Sequence, residues 1–175
     1  MGALTKTPAP LRLDIGCGTA KRPGFTGIDS RKNVAPDIVA DIEKGLPTIK
    51  SDSVEYLYCS HTLEHIRNLE SVLAEFWRVC RSSATIEIVV PYFASTGAFM
   101  DPTHVRFFTP ETFKYFSKTQ GSSARFDYNF PFDFKILDIK YKYLPVFRFL
   151  PFRKQLARLF LNIIVEFTVK MKVIK

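Results

Sequence analysis

The chain has 175 residues, of which 46% are hydrophobic, and carries a net charge of +8. That is enough for one buried core, leaves little length for a second, and excludes a low-complexity or disordered protein. The charge is uneven: residues 1–133 hold 15 Lys/Arg against 15 Asp/Glu, and residues 134–175 hold 10 against 2. A basic final quarter suits a solvated face, an acidic ligand or an anionic surface.

Met1 to Pro10 is short and polar with no apolar run of secretory length, and reads as a flexible tail ahead of a single domain over 11–175. Leu11 to Gly16 is a short apolar run closing on glycine, the pattern of a buried parallel strand entering a loop. Phe25 to Asp29, Ile38 to Ile42 and Val54 to Cys59 supply three further short strands, punctuated by Pro36 and Pro47. Asn68 is a candidate N-cap. Behind it, Leu69, Val72, Leu73, Phe76 and Cys80 fall at spacings of three and four and predict a helix.

Ala84 to Val90 predicts a fifth strand, stopped by Pro91, and Thr109 to Ser117 a short helix with Pro110 in its first turn. Leu137, Ile139, Tyr141 and Tyr143 alternate with polar residues, as do Val165, Phe167, Val169, Met171 and Val173, so two one-sided strands are expected to pair antiparallel at an edge. Between them Pro151 to Asn162 predicts an amphipathic helix. Its stripe of Phe152, Leu156, Leu159, Phe160 and Ile163 is expected to face inward and leave only Arg153, Lys154 and Arg158 accessible. Charges interrupt the apolar stretch from Tyr143 to Val169, so no membrane-spanning helix is expected. Cys17, Cys59 and Cys80 form no Cys-x-x-Cys pair and read as reduced, buried thiols of a cytoplasmic protein.

Strands alternating with helices place a ligand crevice at the carboxyl ends of a parallel sheet. Gly16 and Gly18 free the backbone to turn beneath a ligand, and Asp29, closing the second strand, is suited to a ribose diol. His61 and His65, with His104 or Asp101, have the composition of a metal site. Packing is the preferred reading, and no metal is expected, because His61 falls at a strand end and no cysteine pair supports zinc.

In order, Asp14-Ile15-Gly16-Cys17-Gly18, Gly27-Ile28-Asp29, Asp41-Ile42, Ser60-His61-Thr62-Leu63-Glu64-His65 and Phe76-Trp77-Arg78-Val79 resemble the motifs of class I S-adenosylmethionine-dependent methyltransferases, type 11. The resemblance spans residues 11–92 and implies an α/β, Rossmann-like, mostly parallel sheet flanked by helices. It implies S-adenosyl-L-methionine as cofactor: Asp14, Gly16, Cys17 and Gly18 beside its methionine part, Asp29 and Ser30 at the ribose, Asp41 and Ile42 at the adenine, and Ser60 and His61 at the reactive end. Only ten residues separate Gly18 from Asp29, so the usual first helix must shrink to a turn or a loop. The segment Asp101-Pro102-Thr103-His104 resembles a loop of small saccharide-modifying methyltransferases, which makes His104, with His61, a candidate general base.

The expected function is methyl transfer to a small-molecule or saccharide acceptor, with weak peripheral contact to an anionic membrane and no nucleic-acid partner. Two rivals share the pattern. A nucleotide-binding oxidoreductase is disfavoured because Lys21 occupies the position of the third glycine in Gly-x-Gly-x-x-Gly; a non-catalytic module would dock RNA or membrane through the basic end.

Overall fold

A computed structural model describes residues 10–121 and 128–175; the expected tail over 1–10 lies almost wholly outside them. Five parallel strands, β1 (Leu11–Ile15), β2 (Thr26–Asp29), β3 (Ile38–Val39), β4 (Val54–Ser60) and β5 (Cys80–Pro91), form one sheet with β6 (Asp133–Tyr143) and β7 (Ile164–Ile174). The order is β3-β2-β1-β4-β5-β7-β6, with β7 antiparallel to both neighbours. The antiparallel pair at one edge and the parallel sheet therefore form as their side-chain periodicity predicts.

The strands hold together through apolar side chains with no exposed surface, among them Leu13, Ile15, Ile28, Leu57, Ile86 and Ile88. Such continuous apolar runs are what a strand covered on both faces requires. Helix α1 (Leu69–Val79) starts where Asn68 accepts a hydrogen bond from Ser71 N, a cap that stabilises by about 1 kcal/mol. It buries Leu69, Val72, Leu73, Phe76 and Val79. The helix α2 (Thr96–Phe99) is a single turn. In α3 (Pro110–Lys114), Thr109 and Thr112 exchange hydrogen bonds in a capping box.

Several local expectations are corrected. Cys80 opens β5 rather than closing α1, and β3 is two residues long because Asp41 caps a 3₁₀ turn over Ile42–Lys44. In β6 a register shift between Ile136 and Asp138 turns Leu137 outward, to 53% exposure, while Phe134, Ile136, Ile139, Tyr141 and Tyr143 face the core or its margin. The largest correction concerns Pro151 to Asn162. Only α4 (Arg153–Leu156) is α-helical there, and Phe152 enters it with a left-handed φ of 54°. One turn cannot extend a stripe across the sheet, so Leu156 and Ile163 pack against the core while Phe152, Leu159 and Phe160 stand 75%, 79% and 60% exposed.

The candidate active-site cleft

No helix intervenes between β1 and β2; turns replace it, as the ten-residue spacing requires. The loop is fastened by polar contacts instead. Arg22 N donates to Asp14 Oδ2 at 2.7 Å, Lys21 Nζ meets Asp37 at 2.9 Å, and the Arg22 guanidinium lies 4.2 Å from the Tyr58 ring centre. Burial raises the Asp14 carboxyl above the ordinary aspartate range, against the lowering effect of the Arg22 amide and nearby cations.

A cleft of about 590 Å³ opens at the carboxyl ends of β1 to β4. Its lining includes Gly16 from the β1 turn, Asp29, Ser30 and Arg31 from the end of β2, Asp41 and Ile42 after β3, and His61 and Thr62 after β4. The chain reverses its direction of winding between β1 and β4, which is where an open α/β sheet leaves a crevice. Six of the expected site residues, Gly16, Asp29, Ser30, Asp41, Ile42 and His61, thus come together. Asp14, Cys17, Gly18, Ser60 and His104 are not among the lining residues. Gly18 N donates to Asp29 and Ser60 O accepts from Thr62 Oγ1, both lining residues, whereas the Asp14 carboxylate accepts from Arg22 N; the His104 side chain is 8% exposed and its Nδ1 is paired with the Ala98 carbonyl at 2.9 Å.

Gly16 closes the floor. Its φ is +67°, and a Cβ there would stand 2.0 Å from Thr62 Oγ1, so glycine is required by backbone and by space. Asp29 accepts from Gly18 N at 3.0 Å and from Arg31 N at 2.9 Å, and its Oδ1 also meets Arg31 Nε at 3.1 Å. Burial pushes its carboxyl up, but these hydrogen bonds outweigh burial and hold it below the usual range. Arg31 is 63% exposed in its side chain, so its guanidinium can leave Asp29 for water when another donor arrives.

His61 stands in the left-handed region, with φ +48°, where its amide donates to Val89 O at 2.9 Å. Non-glycine residues are held there only by surrounding structure, and such residues cluster at functional sites. The ring lies between two carboxylates, Nδ1 3.3 Å from Glu64 Oε1 and Nε2 3.1 Å from Glu166 Oε2. Glu64 is 1% exposed and its carboxylate makes no hydrogen bond among the described residues, so His61 is the nearest partner for a buried charge. Glu64, with Glu166, raises the pKa of His61 against the lowering effect of partial burial.

The loop after β5 covers this end. Asp101 and Thr103 line the cleft, and Val105 N and Arg106 N both donate to Glu64 O, at 2.9 and 3.1 Å. Thr103 Oγ1 donates to Asp101 Oδ1 at 2.7 Å, so its 2.9 Å contact with His65 Nδ1 has the imidazole as donor. Glu64, His65 and His104 bring one ligand-type atom each to within 4.8 Å of one another. Nδ1 of each ring is hydrogen-bonded, His65 to Thr103 Oγ1 and His104 to the Ala98 carbonyl.

Thr62 and Glu64 fall within the Ser60–His65 motif without a role that the motif implies, and no motif marks Arg31 or Glu166. Glu166 lies 105 residues from His61 on the polar side of an alternating strand, where nothing local distinguishes it.

Residues 13–88 match the family model of the methyltransferase domain, type 11. Over that span the chain is similar to a methyltransferase domain. No curated protein matches the chain. Among solved structures, a methyltransferase of Archaeoglobus fulgidus is 20% identical with a TM-score of 0.65, the alignment covering 94% of this chain and 86% of that one. A Thermotoga maritima methyltransferase is 15% identical with a TM-score of 0.59, covering 97% and 84%. The [4+2]-cyclase SpnF is 16% identical with a TM-score of 0.57, covering 92% and 74%. At these identities the likeness establishes the fold, and the family match carries the chemistry.

S-adenosylmethionine, the cofactor that the motif resemblance implies, suits the cleft. A ligand carrying a sulfonium and an ammonium favours a cleft of acidic character, which Asp29, Asp41 and Glu43 give the lining as a whole. Gly16 permits the close backbone approach that any larger residue would block.

Proposed function

We propose that the methyltransferase transfers its methyl group to a hydroxyl of a small-molecule or saccharide acceptor, with His61 as general base. The observation carrying this reading is the placement of His61 on the cleft wall between Glu64 and Glu166. A neutral imidazole so flanked takes up a proton readily, because both carboxylates stabilise the cation that results. Bound S-adenosylmethionine supplies an electrophilic methyl on a positively charged sulfur. Asp29 and Ser30 would hold the ribose, Asp41 and Ile42 the adenine end, and Gly16 would let the backbone approach the methionine part.

For His61 to receive the acceptor's hydroxyl proton, Nε2 exchanges Glu166, the more exposed of its two carboxylate partners, for the acceptor, while the loop bearing Asp101 and Thr103 limits water at the mouth. Polar groups on that loop suit a hydroxyl-rich acceptor. His104, withdrawn from the lining, is the weaker base candidate in this arrangement. The experiment is a panel of hydroxylated acceptors, mono- and oligosaccharides among them, assayed with methyl-labelled cofactor. His61→Ala should lower turnover about a hundredfold while cofactor affinity stays unchanged. A larger loss with His104→Ala than with His61→Ala would transfer the role.

A further inference from the structure

The segment 144–163 connects β6 to β7 and holds Val146, Phe149, Phe152, Leu159, Phe160 and Leu161, each between 60% and 89% exposed. The same segment holds Arg148, Arg153, Lys154 and Arg158 and no acidic residue. Single exposed apolar residues need no explanation, but this many in twenty residues do. Among the described residues no carboxylate pairs with these four cations. Two of them lie over aromatic faces at its base: Arg153 is 4.1 Å from the Tyr143 ring centre and Lys154 5.2 Å from that of Tyr141.

The segment is built rather than loose. Leu144 N donates to Ile163 O at 3.1 Å, closing its base, and Ala157 is buried beneath it. Asn162 ties it to the loop after β5: its amide donates to Ala94 O at 2.8 Å, and its Oδ1 accepts from Thr96 N at 2.6 Å. At the end of α2 in that loop, Phe99 and Met100 are also exposed, and Phe99 stacks on Phe107 at 4.4 Å. β6 ends and β7 begins at the end of the sheet where β5 ends, which is the end that bears the cleft.

We propose that segment 144–163 docks the protein on an anionic lipid bilayer, with its apolar side chains entering the interface and its cations meeting lipid phosphates. Charge complementarity selects this occupant. A second copy presenting the same face would bring eight unpaired cations together at an apolar contact, and a nucleic acid would match the cations but leave the phenylalanines and leucines without partners. An interface of anionic headgroups over acyl chains satisfies both sets at once. The sequence-based expectation of charge-only contact assumed that the stripe faced inward; its exposure adds insertion to the electrostatic attraction.

Flotation with vesicles of phosphatidylcholine and phosphatidylglycerol, against phosphatidylcholine alone, tests this independently of methyl transfer. Binding to the anionic vesicles should exceed binding to the neutral ones, by up to about fivefold per engaged cation. It should persist in part at about 0.5 M salt, where screening confines charge effects to about 4 Å. Phe149→Ser, Leu159→Ser and Phe160→Ser together should abolish the salt-resistant part, with fold and cofactor binding unchanged because these side chains project outward. Replacing the four cations by Gln should remove the preference for anionic lipid. Absence of binding would overturn the proposal. So would binding that high salt removes entirely and the triple variant leaves intact, or a dimer in sedimentation that the triple variant dissociates.

Discussion

Glu166 Oε2 lies 3.1 Å from His61 Nε2, so β7 reaches the residue that immediately follows β4. With Glu64 on the other nitrogen, the pair raises the imidazole's pKa. A base must be neutral to act, so turnover should rise with pH through a midpoint above the ordinary histidine value of about 6.5. Glu166→Gln should move that midpoint down without altering cofactor affinity, as read from kcat against pH. The stability linkage has the opposite sense: a raised histidine pKa contributes stability fully below about 6.5, and that contribution is lost as pH rises through the folded-state value. An unshifted kcat profile in Glu166→Gln would remove Glu166 from the account.

The pairing of Arg31 with Asp29 predicts unequal consequences for two substitutions. Asp29→Ala should weaken S-adenosylmethionine binding about tenfold or more, since hydrogen bonds to a charged acceptor are lost. Arg31→Ala should change affinity by no more than about threefold, because the guanidinium is exposed and exchangeable. The depressed Asp29 carboxyl contributes stability above its unfolded pKa of about 3.9 and loses it as pH falls through the lower folded value. Calorimetric titration of both variants, with circular dichroism for folding, checks the ordering.

At Gly16 the contact with Thr62 allows a double-mutant cycle. Gly16→Ala should destabilise by about 1 to 2 kcal/mol from the left-handed backbone alone, and by more through the 2.0 Å approach to Thr62. Thr62→Ala in the same chain should recover the steric part and leave the backbone part. Denaturant midpoints of the four proteins give the coupling, and a coupling of zero would mean that the turn shifts away from Thr62.

The residues of the cleft were legible in sequence where function depends on short, ordered chain segments. Gly16 and Asp41 come just after a strand and Asp29 closes one, each strand with an apolar run that can be recognised, so the parallel topology carries them to one place. Glu166 was not legible, because its meeting with His61 depends on the register of β7 against β5, set by side chains all along both strands. The segment 144–163 misled for a related reason. Its apolar spacing matches a helix, but the chain makes one α-turn, entered through a left-handed Phe152, and burial follows the resulting path rather than the period. Leu137 departs from its strand's alternation by one register shift, which no composition rule signals.

The measurement closest to the central claim is calorimetric titration of the protein with S-adenosylmethionine, repeated on Asp29→Ala and with NADH as the competing ligand. S-adenosylmethionine should bind saturably and one-to-one, about tenfold or more weaker in folded Asp29→Ala, and NADH should not bind. Binding of NADH in preference, or an affinity for S-adenosylmethionine that Asp29→Ala leaves unchanged, would contradict that claim.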